Sequence, residues 1–401
     1  MRSRRLAVFA PVPPARSGIA EYVEGMLPLL PTSWEIEVFT DGDTAGELAG
    51  WPVNRLEDWG PRHHRAPFDL NVYHVGNNAL HATTLPYVLK HPGLLVLHDV
   101  VMHPARAAVF LGADDMRGYS AALAASETER HEALAQVIAA GLGGPSIYWN
   151  FLLSEDLIRA SRHTVVHGQL LTRWLQAQVP GVGIGSVVHW LPVSDDDGER
   201  KQAWRTRVGA GGAIPLFGTF GHIGSEHRVE LLLEVLGELA SDFDFRLVVV
   251  GAMAPELDLE RTVRNSGLSD RVEFTGRVDE EDYGALLRAV DLGLNLRYPT
   301  ARASSGSLVQ MLQVGTPAVI HDLVHLRDLP EPAVLRVPTG ELNVEVAGLR
   351  IQLRRWLEDA DWRVSAASAA AEWGRTRITP DAMRRSYEKA VDAALAEHAV
   401  A

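Results

Sequence analysis

A chain of 401 residues exceeds one ordinary α/β core and suits two domains, each of somewhat under about 200 residues. With 46% apolar and 22% charged residues both cores can be buried without special staples, and a formal net charge of -13 argues against nonspecific nucleic-acid or anionic-membrane binding. The absence of cysteine excludes disulfides, thiolate metal sites and cysteine nucleophiles.

The start is basic, but the apolar run Leu6–Ala10 is too short for a signal peptide, and no stretch approaches a membrane span, so a cytoplasmic protein is expected. Leu6–Ala10 reads as a strand and Pro11–Gly18 as a rigid loop closing on Ser17-Gly18. Ile19, Tyr22, Val23, Met26, Leu27 and Leu30 then recur at helical spacing. Strand, glycine-containing loop and helix open a Rossmann-like half, although a single glycine is no dinucleotide fingerprint. Glu35–Thr40 and Asp69–His74 read as further strands, and Gly93–Leu97 as a buried strand ending in the polar pair His98-Asp99. The region from about 105 to 160 is rich in alanine and leucine and reads as helical, broken at Gly141–Pro145. Arg162–His167 and Ser186–Pro192 read as the strands that close this half.

Asp195–Gly198 and Val208–Gly212 flank a basic, helix-prone stretch and read as an interdomain connection. A second half follows, with strands at Leu216–Phe220, Phe245–Gly251, Arg271–Gly276 and Asp291–Leu296, alternating with helices after 228, around 257–265 and from Asp279 to Val290. That alternation predicts a parallel sheet covered on both faces. The stretch Asn295–Asp322 then carries strand end, polar loop, helix and strand. Ser304, Ser305 and Ser307 around Gly306 offer hydroxyl caps at the helix start, and Gly315 with Pro317 ends the helix. A small, hydroxyl-rich helix N-terminus at the mouth of a parallel sheet suits an anion, and we read a diphosphate there. The tail is helical from Leu349. Its last helix starts at Thr379-Pro380 and keeps a stripe of Met383, Tyr387, Val391 and Leu395 that must be buried against something.

Pro13–Ala20, Leu97-His98-Asp99, Phe220–His222 with His227-Arg228, Phe274–Gly276 and Gly306–Pro317, in this order and spacing, resemble the GT-B retaining glycosyltransferases of family 4. The resemblance implies an α/β GT-B fold: two Rossmann-like domains with parallel sheets facing a central cleft, the last helix crossing back onto the first domain. The expected division is 1–193 for the acceptor domain, 194–212 for the linker, 213–375 for the nucleotide-sugar domain and 376–401 for the returning helix. It also implies transfer from a nucleotide-diphosphate sugar to a small soluble acceptor with retention of configuration, with no metal and no cofactor beyond that co-substrate. Neither nucleic acid nor a membrane span is an expected partner.

In the family, the residue matching His98 contacts the donor sugar, and the positions of His222 and His227 usually hold arginine and lysine on the diphosphate. His98, His222 and His227 are therefore the catalytic candidates. An imidazole is fully charged only near or below a pKa of about 6.5, so donor binding through these two histidines would weaken as pH rises. For His227 alone, a surface histidine at a helix start remains the alternative. Gly18 would let backbone approach a phosphate, Arg228 would take over one cationic role, and Thr275, Gly276, Arg277 and Val278 would meet the nucleobase. Ser305, Gly306 and Ser307 would hold the leaving diphosphate. The family has two glutamates eight residues apart here; counting back from Gly315, the second falls at Gln310 and the first at Arg302 or Ala303. Gln310 can still bond ribose, whereas Arg302 would suit an acidic or phosphorylated group. Asp195–Asp197 resembles a metal-binding Asp-x-Asp but lies in the linker without a supporting framework. Two other functions stay open: a non-catalytic GT-B partner of an active transferase, and a GT-B epimerase or phosphorylase.

Overall fold

The computed structural model describes residues 4–42, 46–126, 129–142, 144, 146–195 and 198–398. They form two units: Met1–Leu191 with Pro299–Ser304 and Pro380–Ala401, and Pro192–Tyr298 with Ser305–Thr379.

In unit 1 the strands are β1 (Arg5–Phe9), β2 (Glu35–Thr40), β3 (Glu47–Leu48), β4 (Trp51–Arg55), β5 (Leu70–Val75), β6 (Leu94–Leu97), β7 (His163–Val166) and β8 (Ile184–Ser186). They make one sheet in the order β3-β4-β2-β1-β5-β6-β7-β8, parallel except for the short edge pair β3–β4. β5 and β6 are buried along their whole length, as expected of apolar strands covered on both faces. The helices are α1 (Gly18–Met26), α2 (Trp59–Arg65), α3 (Leu85–Lys90), α4 (His103–Gly112), α5 (Met116–Leu123), α6 (His131–Ala139), α7 (Ile147–Asn150), α8 (Glu155–Ala160) and α9 (Gln169–Gln178). The strand order reverses between β1 and β5, the kind of switch point outside whose carboxyl edge open α/β sheets bind ligands.

Unit 2 opens with α10 (Glu199–Arg207) and alternates β9 (Leu216–Phe220), α11 (Val229–Leu239), β10 (Arg246–Val250), α12 (Leu259–Asn265), β11 (Val272–Gly276), α13 (Glu280–Ala289), β12 (Leu292–Asn295), α14 (Gly306–Gln313), β13 (Ala318–His321) and β14 (Val334–Val337). Two long helices, α15 (Leu342–Glu358) and α16 (Ala360–Arg377), follow. The sheet runs β11-β10-β9-β12-β13-β14, all parallel, with its switch point between β9 and β12. The last helix, α17 (Pro380–His398), returns to unit 1. Its Met383, Tyr387, Ala390, Val391 and Ala394 are buried in the same core as Leu6, Val8, Tyr22 and Val23, which is where the apolar stripe goes. The two Rossmann-like halves and the returning helix are therefore as the sequence indicated.

Three expectations need correction. The strand read at Ser186–Pro192 lies earlier, at β8, because the ladder with β7 ends at Ser186 and the chain then runs on without strand pairing. The stretch 194–212 is no free linker. Trp204 anchors α10 in the core beside Phe220 and Val248 and donates to Asp282 Oδ1 at 3.0 Å, while Arg205 pairs with Asp291 at 3.0 Å, so α10 is part of unit 2. Finally, Pro299–Ser304, assigned by sequence to the nucleotide-sugar domain, packs with unit 1: Ala301 O accepts from the N–H groups of Val100 and Val101 at 3.0 and 2.9 Å.

Candidate functional site

In unit 2 the turns after β9, β10 and β11 and the segment after β12 converge at the carboxyl edge of the sheet. Gly221 and Gly251 both have positive φ, +116° and +126°, and a Cβ on Gly251 would lie 1.9 Å from Gly221 O. Only glycine permits these two turns to touch. Gly276 O accepts from Gly251 N at 2.9 Å, tying the Thr275-Gly276 turn to them, and Thr275 Oγ1 donates to Gly276 O at 2.8 Å. Arg277 is exposed and Val278 packs against the core.

Ser305 caps α14: its Oγ accepts from Leu308 N at 3.4 Å and lies 3.1 Å from Ser307 Oγ, which accepts from Asn295 Nδ2 at 3.0 Å. At this helix start the Gly306 and Ser307 N–H groups have no intrahelical acceptor. Arg297, two residues beyond β12, donates from Nη2 to Ser305 Oγ at 3.4 Å, and the same nitrogen lies 3.9 Å from where a Gly221 Cβ would be. A guanidinium therefore sits at the switch point, between the Gly221 turn and the N-terminus of α14. Sequence reasoning gave Arg297 no role. Its signal was the position of a cation immediately past a strand at the switch point, which needs the strand order to be read.

His227 does not supply that charge. His222 is exposed. His227 is buried, and its Nδ1 accepts from Gly224 N at 3.1 Å with Arg297 Nη1 at 3.4 Å. Glu226 Oε1 also lies 3.2 Å from Nδ1, but a carboxylate only accepts, and the Gly224 N–H already occupies the lone pair. The ring is neutral with its proton on Nε2, and burial lowers its pKa further. His227 shapes the turn and is no cation, which corrects the expected lysine-like role. Arg228, itself at φ +54°, stands over Tyr298 at 5.4 Å with Nε 3.5 Å from Glu345 Oε1. The buried Glu345 accepts from His321 Nε2 at 2.8 Å, and His321 Nδ1 accepts from Arg297 N at 3.0 Å. One carboxylate thus braces both arginine-bearing segments from behind. Gln310 is already engaged, donating to Pro192 O at 3.1 Å and accepting from Tyr283 at 3.3 Å, so its amide holds the start of unit 2 instead of awaiting a ribose.

Unit 1 holds Gly18, His98 and Arg302. Gly18 opens α1 behind the Ser17 cap, and a Cβ there would meet nothing within 4 Å. His98 is the centre of a buried chain. Tyr387 Oη lies 2.9 Å from His74 Nε2, His74 Nδ1 3.1 Å from His98 Nε2, His98 Nδ1 3.2 Å from His167 Nε2, and His167 Nδ1 3.4 Å from Val187 O. The carbonyl can only accept, so His167 carries its proton on Nδ1. The same logic passes along the chain: His98 and His74 are Nδ1–H tautomers and Tyr387 donates. Burial pushes His74 to about 3 and His167 to about 4, and His98 well below its ordinary value, so all three are neutral. Both ring nitrogens of His98 are engaged within unit 1, so neither is free for the donor-sugar contact that the family resemblance implies. Asp99 Oδ2 accepts from Asn77 N at 2.7 Å, anchoring the neighbouring loop. Arg302, at φ +53°, lays its guanidinium on Trp174 at 4.6 Å.

Asp196 and Asp197 lie outside the described residues, among which no group of three or more His, Cys, Asp or Glu is arranged to hold a metal. Nor is any described helix long and apolar enough to cross a membrane.

Residues 214–359 match the family described as glycosyl transferases group 1. A 2-deoxystreptamine glucosyltransferase from Streptomyces kanamyceticus is 29% identical over 164 residues, 40% of each chain, so the chain spans 40% of the length of that curated relative. Among solved structures, sucrose-phosphate synthase from Thermosynechococcus elongatus superposes with a TM-score of 0.68 at 15% identity, covering 98% of this chain and 99% of that one. HepE from Anabaena, in complex with UDP-glucose, gives 0.63 at 15% identity, covering 97% and 99%. These likenesses extend over the whole chain and agree with its two parallel sheets. Residues 214–359 thus match the group 1 glycosyl transferases, and the whole chain has the GT-B fold.

Proposed function

We propose that the protein is a retaining glycosyltransferase that moves a hexosyl group from a nucleotide-diphosphate donor to a hydroxyl or amine of a small acceptor, without a metal. The observation that carries this reading is Arg297, set between the Gly221 turn and the α14 N-terminus inside the matched segment. A diphosphate there takes the Gly306 and Ser307 N–H groups, the helix dipole and a guanidinium, donors that strengthen as charge develops on the leaving group. The bond from the anomeric carbon to the diphosphate oxygen breaks, the acceptor oxygen or nitrogen bonds on the same face, and the acceptor proton passes to the departing diphosphate. Side chains of this chain bind and align; none needs to act as nucleophile. The HepE complex with UDP-glucose and the relative named as a glucosyltransferase support a UDP-hexose as the first donor to try.

The test is thermal stabilisation by UDP, GDP, ADP and TDP, followed by mass spectrometry of sugar transfer with the best donor. A nucleotide at about a hundred times its Kd stabilises by about 2.7 kcal/mol. R297A, losing a charge-assisted contact of about 1.5–3 kcal/mol, should weaken it roughly 10- to 100-fold. Silence from every nucleotide, or an R297A variant that binds like the wild type, would refute the reading. One observation favours a second reading, a donor-binding protein without transfer: the engaged ring of His98 has no nitrogen left for the sugar. Nucleotide stabilisation without any transferred sugar would select it.

A further inference from the structure

Several buried and half-buried arginines of this chain have hydrogen-bond acceptors. Arg106 has Asp156 and Leu153 O, Arg205 has Asp291 and Ala289 O, and Arg336 has Glu331 and Leu329 O. Arg302 differs. It is half-buried, yet among the described residues no carboxylate, carbonyl or hydroxyl accepts from its guanidinium, whose one neighbour of note is the indole of Trp174 at 4.6 Å. Burial pulls its pKa down, with no carboxylate among the described residues to restore it. Its guanidinium nitrogens stay open to solvent while one face is covered by the indole, so the cation keeps an edge that an anion can reach, although a chain of net charge -13 has carboxylates in plenty that could have paired with it.

The position is also built. Arg302 is held at φ +53°, a left-handed backbone that a side chain with a Cβ adopts at a cost, and its N–H donates to Thr300 Oγ1 at 3.0 Å. The preceding carbonyl, Ala301 O, is pinned by Val100 N and Val101 N, three and four residues beyond the end of β6. Trp174 lies on α9, the helix that follows β7. The Arg302 loop is therefore tied to the segment that leaves β6, and Trp174 lies on the helix that follows the adjacent strand β7; open α/β sheets take ligands at the carboxyl edge of such strands. A guanidinium stacked on an indole keeps its N–H edge available, and that fork matches two oxygens of a carboxylate or phosphate.

We propose that Arg302 and Trp174 form an anion subsite in unit 1 that takes a carboxylate or phosphate carried by a substrate. The inference rests on the transferase reading and names a substrate class for it: an acidic or phosphorylated acceptor.

The experiment measures affinity of the full chain for glucose 6-phosphate, glucuronate and glucose, and for UDP-glucuronate against UDP-glucose, in wild type, R302Q, R302K and R302G. R302G relieves the positive φ and so guards against a variant that simply fails to fold. The expected result is a preference of at least about tenfold for the anionic member of a pair, lost in R302Q and R302G and partly kept in R302K, which retains charge without the fork. A preference among the free sugars that R302Q removes assigns the anion to the acceptor; a preference confined to the UDP-sugars overturns that assignment. Equal affinity for charged and neutral probes in the wild type, or an anion preference that survives in R302Q and R302G, overturns the proposal. Stabilisation of the wild type by UDP alone, read alongside, reports on Arg297 and α14, so failure of the subsite is distinguishable from failure of the donor cradle.

Discussion

Replacing Tyr387 by Phe removes the hydroxyl that donates into the histidine chain while leaving the ring that stacks on His74, with centroids 6.2 Å apart and planes 8° from parallel. His74 Nε2 then becomes a fully buried acceptor without a donor. A tautomer change cannot repair this. If His74 moved its proton to Nε2, His98 and His167 would have to follow, and the last step would aim the His167 Nδ1 lone pair at Val187 O. The cost is that of one buried unsatisfied group, about 1–3 kcal/mol. For a unit of roughly 200 residues this is a fall of about 2–4 °C in Tm per kcal/mol. Urea unfolding at pH 8 reads the difference as a midpoint shift at unchanged slope. The double variant Y387F/H74L, which removes the stranded acceptor as well, should be less unstable than the sum of its single changes. A Y387F variant within about 0.5 kcal/mol of wild type would refute the assigned proton order.

Two further outcomes concern pH. His167 and His74 have folded-state values pushed down to about 4 and about 3, so below their ordinary value of 6.5 the unfolded chain takes up protons that the folded chain refuses. Stability should be complete above about pH 6.5 and decline as pH falls towards 4, by roughly 3 kcal/mol from His167 alone. Urea midpoints at pH 7.5, 6 and 5 check this, and a flat profile would contradict it. At the proposed donor site, burial lowers the pKa of His227 and its ring is already neutral, so the charge is left to Arg297. UDP-glucose affinity should change no more than about twofold between pH 6 and 8. A steeper fall that disappears in H227N would return the charge to the histidine.

Much of the architecture was legible locally. Runs such as Leu94–Leu97 are apolar on both faces and short, which marks central parallel strands, and the spacing of Met383, Tyr387 and Val391 announced a helix with one buried face. The Ser305 cap and the helix stop at Gly315 were also visible, since capping is decided within a few residues. Trp204 carries little local signal because charged and glycine-rich neighbours dominate its window, although a single buried indole is enough to dock α10.

What the chain alone could not disclose is which polar groups meet. His98 is read in isolation as a ligand contact, and only the packing of β5, β6, β7, the segment after β8 and α17 reveals that its two nitrogens face His74 and His167. Arg297 takes its place at the switch point only because the strand order sets β12 beside β9, and Arg302 meets Trp174 only because its loop is pinned to unit 1. Strands and caps follow from forces acting over a few residues, so the sequence by itself determined them. The protonation state of a histidine and the partner of an arginine depend on atoms brought together from distant parts of the chain, and the tertiary structure alone decided those.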